Sequence, residues 1–321
     1  MKCKKILTAL LAAACTMSGC HGDLDIMQDN KLSASNMWID ESDAETATYG
    51  IYLYMRDALK SVHDIYLCWG EFRNGLWGAG TNKTLSGVDQ TQVRTSTMSS
   101  SNAYADWSVM YKTVNQANLI LKHVPEMGIS ESVRNFSLGN AYFSRAWCYF
   151  WIARIWGDAP LALTGYESTA GDLYLPRAPK AEIFARIESD LTEAERYVTD
   201  NSDKAVATPA AVQMLKADYA LWMYRVAGGG SSYLTMAEEA IETLNLSASR
   251  LESDYAQVFS SANKLNKEVI FAVHQANGEA VNGPGYYLGW NSNYVEAAYQ
   301  NNPVPITGGN QWWWYTDRYL S

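Results

Sequence analysis

One stretch constrains the fold of this chain more than any other. Between Ala141 and Ile152 it carries Tyr142, Phe143, Ala146, Trp147, Tyr149, Phe150 and Trp151, apolar almost all the way round a helix. A helix on a protein surface keeps one apolar stripe; a helix apolar on every side has to be surrounded. Ser130 is a natural cap for its start, Gly157 a natural stop after Trp156, and Pro160 follows just beyond. The spacing therefore predicts a long central helix in a mostly α-helical fold.

The rest of the chain offers helices to cover it. From Asp43, Ile51, Met55, Leu59 and Val62 repeat at four, four and three. Ser100 or Ser101 caps a second pattern, Tyr104, Trp107, Tyr111, Val114, Asn118 and Leu121, closed by Pro125. Pro179 opens a stripe of Ile183, Ile187, Leu191, Ala194 and Val198, with Glu182, Arg186, Glu193 and Arg196 on its solvated face. Thr208 and Pro209 start a run through Val212, Leu215, Tyr219, Trp222 and Val226, stopped at Gly228–Gly230. A last helix from Ser232 points Ala237, Ile241 and Leu244 inward. Antiparallel helix pairs with small residues at their crossings suggest tetratricopeptide-like repeats, although no sharp 34-residue period is present. Trp107, Trp147, Trp151 and Trp222 sit at helical spacing and are expected in the core.

Two regions depart from this pattern. Residues 68–100 are rich in glycine and read as a long loop with room for a short hairpin. After residue 250, residues 268–273 read as a short buried strand, and 277–311 are rich in Gly, Asn and Pro with Tyr286, Tyr287, Trp290, Tyr294 and Tyr299 among them. Trp312-Trp313-Trp314-Tyr315 follows, and the chain ends six residues later. A domain rarely stops inside such a segment, so the C-terminal part of a longer protein is expected to be missing.

The N-terminus bears on the compartment. Lys2, Lys4 and Lys5 precede the apolar stretch Ile6 to Ala14, too short to span about 30 Å of hydrocarbon. This reads as a secretory signal, residues 1–19, excluded from the fold. Ser18-Gly19-Cys20 resembles a bacterial lipobox, with Met17 where Leu is usual, and makes Cys20 the expected lipid attachment site. An ordinary signal peptide with an incidental cysteine is the alternative. Cleavage removes three lysines and leaves 22 basic residues against 34 acidic, a net charge of −12. That balance argues against nucleic-acid partners. No later segment has 18 consecutive apolar residues, so membrane association is expected through the lipid. Cys68 and Cys148 remain; they either pair or stay as buried thiols, and the apolar run around Cys148 favours the second. No CxxC, HxH or HExxH spacing supports a metal, and no cofactor motif is present.

Five pieces in order carry a family resemblance. They are Leu24-Asp25-Ile26; Ala103 to Val124 with Trp107, Met110-Tyr111, Val114-Asn115 and Ala117-Asn118; GNAYFSRAWCYFWIARIWGDAPL from Gly139 to Leu161; Thr208-Pro209-Ala210 through Trp222; and Asn266 to Phe271. Together they resemble the SusD/RagB family of outer-membrane nutrient-binding lipoproteins. No counterpart of that family's later Arg-Tyr-Ala-Glu helix is found, which agrees with a shortened chain. The resemblance implies a SusD-like helical domain over 20–250 and the start of a C-terminal ligand-binding region over 251–321. It implies a lipid-anchored protein at the cell surface that captures oligosaccharides, or sometimes peptides. These would pass to a SusC-like TonB-dependent transporter.

The residue chemistry fits a glycan ligand. Indole and phenol rings pack on the C–H faces of sugars, and Asn and Arg meet their hydroxyls. Trp69, Arg73, Asn74, Trp77, Asn82 and Lys83 stand in the first loop; Tyr286, Tyr287, Trp290, Asn291, Asn293, Trp312, Trp313 and Trp314 stand in the second. The two regions are expected to meet as an arc of rings, with Trp69 also readable as core. Two rival classes remain. A glycoside hydrolase needs two facing carboxylates; Asp64, Glu71, Asp89 and Asp317 are available but nothing selects a pair. A peptide- or protein-binding helical-repeat module is the other.

Overall fold

The protein is described from a computed structural model, in which residues 37–75, 77–79, 88–169, 173–247, 250–275 and 313–315 are described. Asp40–Ser321 forms one unit, and the account concerns it alone. The expected signal peptide and Cys20 lie outside the described residues.

Helix α1 (Glu41–Trp69) opens on a reciprocal cap: the Asp43 N–H donates to Asp40 Oδ1 at 3.1 Å, and the Asp40 N–H to Asp43 Oδ2 at 3.3 Å. A short 3-10 turn (Glu71–Arg73) and strand β1 (Trp77–Ala79) follow, then α2 (Val88–Thr95). Helix α3 (Ser108–His123) leads through a turn at Pro125 to α4 (Glu131–Trp156). Strands β2 (Ala159–Pro160) and β3 (Arg177–Ala178) pair antiparallel before α5 (Lys180–Tyr197). Helices α6 (Pro209–Arg225), α7 (Ser231–Thr243) and the single turn α8 (Tyr255–Val258) complete the series, with β4 at Trp313–Tyr315.

The central helix is α4, capped by Ser130 and ended at Gly157, where φ is +71°. Leu138, Phe143, Ala146, Cys148, Tyr149, Phe150 and Ile152 are all buried, so every face of its second half meets a neighbour. Burying side chains of this size contributes roughly 1.5–3 kcal/mol each, which makes α4 the main source of the core. Helices α3 and α5 flank it, α1 packs on α3 and α4, and α6 packs on α7, a tetratricopeptide-like succession of neighbours. Gly139 is where α4 meets the end of α5 most closely: a Cβ there would lie 2.7 Å from Val198 Cγ2 and 3.0 Å from its backbone nitrogen. Cys68 and Cys148 are buried thiols, not a disulfide. Trp107, Trp147, Trp151 and Trp222 are partly buried and pack on the core. Among the described residues no helix is long and apolar enough to cross a membrane.

Five details differ from the sequence reading. The loop 68–100 contains α2, whose Val93 is buried; a short polar helix with one anchor shows almost no periodicity. The helix expected from Ser100 or Ser101 begins at Ser108, because Asn102 first caps a 3-10 turn, Ala103–Ala105, by accepting from the Tyr104 N–H. Ala240 is buried on α7 while Ile241 is exposed. Val226 lies past the end of α6 and is exposed too. Residues 268–273 form no strand: the Ala272 N–H donates to the Lys204 carbonyl, and Phe271 packs on Tyr52 and Phe143 at 6.2 and 5.4 Å between ring centroids. A short apolar run satisfied by one irregular contact looks like a strand in sequence alone.

Candidate ligand-binding region

Gly75, at φ +80°, turns the chain after α1 toward β1. No local hairpin forms there among the described residues. Strand β1 pairs antiparallel with β4 instead, placing Trp77 opposite Tyr315, Gly78 opposite Trp314 and Ala79 opposite Trp313. The two aromatic regions singled out by sequence thus meet as a two-stranded ribbon. Of the predicted contact residues, Trp77 and Trp314 belong to it. Arg73 is exposed in the turn just before it. Asn82, Tyr287, Trp290 and Trp312 lie outside the described residues.

The ribbon stands beside the 71–73 turn and α2, and this base is firmly built. Phe72 is buried, and Trp69 is 8% exposed with its indole N–H donating to the Tyr104 carbonyl at 2.8 Å. Trp69 therefore belongs to the core rather than to a ligand surface, because its polar handle is spent on the backbone. Asn102 ties α2 to the next turn, donating to the Asp89 carbonyl at 3.1 Å and to Gln92 Oε1 at 2.8 Å. Gln90 donates to the Tyr104 hydroxyl. Burial holds that phenol above the ordinary tyrosine range, and the adjacent Cys68 adds to the effect. A row of touching rings leads away from the base: Trp69 to Trp156 at 5.3 Å, Trp156 to Trp107 at 6.2 Å, Trp107 to Tyr111 at 6.2 Å. Edge-to-face contacts at these separations stiffen a surface as well as bury it.

Two of the sequence pieces that carried the resemblance, Ala103 to Val124 and Gly139 to Leu161, share one job. Trp107, Tyr111, Asn115 and Asn118 step by four, four and three along α3, so they share one face. That face grips the segment after α4. The Tyr111 hydroxyl donates to the Pro160 carbonyl at 2.5 Å; Asn115 accepts from the Tyr166 N–H and donates to its carbonyl; Asn118 donates to the Ala162 carbonyl at 2.9 Å. Beneath them Arg145 makes a two-pronged ion pair with Asp190 at 2.7 and 2.8 Å and donates to Asn118 Oδ1 at 2.7 Å. In the Gly157-Asp158-Ala159-Pro160 exit, the Asp158 carboxylate accepts from the Lys180 N–H and so caps α5 from across the loop. The sequence marked these residues as a motif without revealing that they hold a loop. Among the described residues no group of His, Cys, Asp or Glu is arranged to hold a metal.

A mostly helical scaffold thus brings two aromatic-rich segments together as a ribbon. Residues 79–222 match the model of a SusD-like family described as "Starch-binding associating with outer membrane". SusD-like protein P38 of Formosa agariphila is 26% identical over 190 residues, 59% of this chain and 36% of that protein. Among solved structures, NanU of B. fragilis is 28% identical with a TM-score of 0.64, covering 78% of this chain and 51% of the other. A SusD superfamily protein from Bacteroides fragilis NCTC 9343 is 26% identical with a TM-score of 0.72, covering 87% and 60%. This chain is SusD-like in sequence and fold, as its motifs indicated. It spans about a third of that curated relative and from half to 60% of the two solved chains.

Proposed function

We propose that this protein binds oligosaccharides at the surface of an outer membrane and hands them to a SusC-like TonB-dependent transporter without cutting them. The observation that carries the reading is the match of residues 79–222 to a family described by starch binding and outer-membrane association. The pairing of β1 with β4 supports it by bringing two aromatic segments to one place. The ligand contacts proposed are Trp77, Arg73, Asn82, Tyr287, Trp290, Trp312 and Trp314, with the diacylglyceryl anchor on Cys20. Residues 20–250 would be the helical domain and 251–321 the start of a ligand-binding region.

The test is a titration of the unlipidated chain with maltoheptaose, followed by calorimetry and by an assay for reducing ends. Binding in the micromolar to millimolar range is expected, roughly −4 to −8 kcal/mol, with no sugar released. Trp77→Ala should weaken it severalfold. Wild-type affinity in that variant would refute the ribbon as the site, and turnover above background would revive a hydrolase.

A further inference from the structure

A cleft of about 390 Å³ opens between the start of α6, the end of α7 and residues 269–270. Its volume lies within the range of small-molecule sites, about 300–1,000 Å³. Pro209, Leu244, Val269 and Ile270 supply an apolar wall. Lys204 and Arg250 are the charged residues that line it, and among the described residues no carboxylate does. Neither cation makes an ion pair among those residues. The chain as a whole carries a net charge of −9, so a cavity faced only by cations runs against its general balance.

Both cations are half-buried and held in place by the backbone. Lys204 Nζ donates to the Asn266 carbonyl at 2.6 Å, and the Lys204 carbonyl accepts from the Ala272 N–H at 3.0 Å. Arg250 donates one N–H to the Leu244 carbonyl at 3.1 Å. Each side chain spends a single donor this way, and an ammonium or a guanidinium carries several. The start of α6 adds two more donors. Thr208 is 4% exposed; its hydroxyl oxygen accepts from the Ala211 N–H at 3.1 Å, and its hydroxyl hydrogen has no acceptor among the described residues. The Ala210 N–H, in the open first turn, has none there either. On the wall, Gln213 donates to Glu195, a carboxylate already met by Lys216 at 2.7 Å. The cleft thus presents positive charge and spare donors at a helix N-terminus, the surroundings that favour an anion. A neutral ligand would leave both charges unmatched, and a cation would be repelled.

We propose that this cleft binds an oxyanion carried on a small molecule: a carboxylate, sulfate or phosphate group. Lys204 and Arg250 hold its oxygens, the Thr208 hydroxyl and the Ala210 N–H donate to them, and the apolar wall packs on the body of the ligand. The proposal does not depend on the sugar reading above and uses residues separate from the ribbon. Its test is calorimetry of the full unlipidated chain at low salt with glucuronate, glucose 6-sulfate and inorganic phosphate, and with glucose as the neutral control. The charged probes should bind, glucose should not, and added sodium chloride should weaken the binding. Arg250→Gln and Lys204→Gln should each lower the affinity about tenfold, the effect of one lost charge-assisted hydrogen bond, while Arg250→Lys keeps most of it. Hydrogen exchange of the unsubstituted chain should show probe-dependent protection at 209–212 and 243–247, a mapping that needs no variant to fold. Phosphate binding as tightly as the organic probes supports the oxyanion and makes the free ion its occupant. Glucose binding as tightly as the charged probes overturns the proposal. So does an unaltered affinity in both glutamine variants, or protection confined to other segments. Absence of binding by every charged probe overturns it too and leaves the ribbon, which is read with maltoheptaose, untouched.

Discussion

Helix α3 holds the segment after α4 in two places, and the two holds are built from similar groups in opposite surroundings. The inner one is Asn118, backed by Arg145 and Asp190, with side-chain exposures of 5% and 0% for the ion pair. The outer one is Glu167, which meets Lys122 Nζ and His123 Nε2 at the surface, with 26% of its side chain exposed. On paper each joins a carboxylate to basic side chains. In water a pair like the outer one is screened and contributes about 0–1 kcal/mol. In the interior, losing one partner strands a charge that water cannot reach. The lesson is that a motif's cost of removal follows its burial, not its chemistry.

The sharpest way to break this comparison is Asp190→Ala. It leaves the Arg145 guanidinium buried with only Asn118 facing it, besides an aromatic contact from Tyr142. We expect a loss of about 3–5 kcal/mol in chemical denaturation. Replacing both members, Arg145→Met with Asp190→Leu, should recover most of that loss, because a well-packed apolar pair is often neutral. If the double variant is as unstable as the single one, the pair is not an uncompensated-charge problem and the comparison fails. A smaller effect is expected from Asn118→Ala. It removes the buried acceptor for Arg145 and the donor to the half-buried Ala162 carbonyl, at about 1–3 kcal/mol. Faster amide exchange over 159–166 should accompany it, since that segment loses its central tie.

These two variants also show where sequence reading stopped. The helices were legible because their apolar spacing repeats: Ile183, Ile187, Leu191 and Ala194 are all buried, as a four-four-three stripe demands. Caps were legible too, at Ser130, Thr208 and Gly157, since each answers a local backbone need. Arg145 was visible only as a letter in a motif, because its partner Asp190 lies on another helix and pairing across helices leaves no local period. The same reason hid α2, anchored through Val93, and the pairing of β1 with β4, which joins residues far apart in the chain. For the candidate site, composition picked out the two aromatic regions, but only tertiary structure separated Trp69, fixed to the Tyr104 carbonyl, from Trp77 on the ribbon. Trp107 shows the limit from the other side: helical spacing placed it against the core correctly, yet it also rims a cleft.

The outer hold supplies the smallest effect and the clearest dependence on conditions. The hydrogen bond from Lys122 holds the Glu167 carboxyl below the usual range, with His123 assisting and desolvation opposing. A carboxylate whose folded value is depressed contributes stability above its unfolded value, about 4.3, and loses it as pH falls through the folded value. Glu167→Gln should therefore cost a few tenths of a kcal/mol at pH 7 and low salt. The difference from wild type should shrink in molar salt, where the screening length is about 3 Å, and fade as pH falls from about 4.3 through the folded value. Denaturant titrations at pH 7 and pH 3, each at two salt concentrations, provide the check. A Glu167→Gln deficit as large as that of Asn118→Ala, or one unaffected by salt, would mean that the surface contact behaves like the buried one, and that burial does not set the ranking of the two holds.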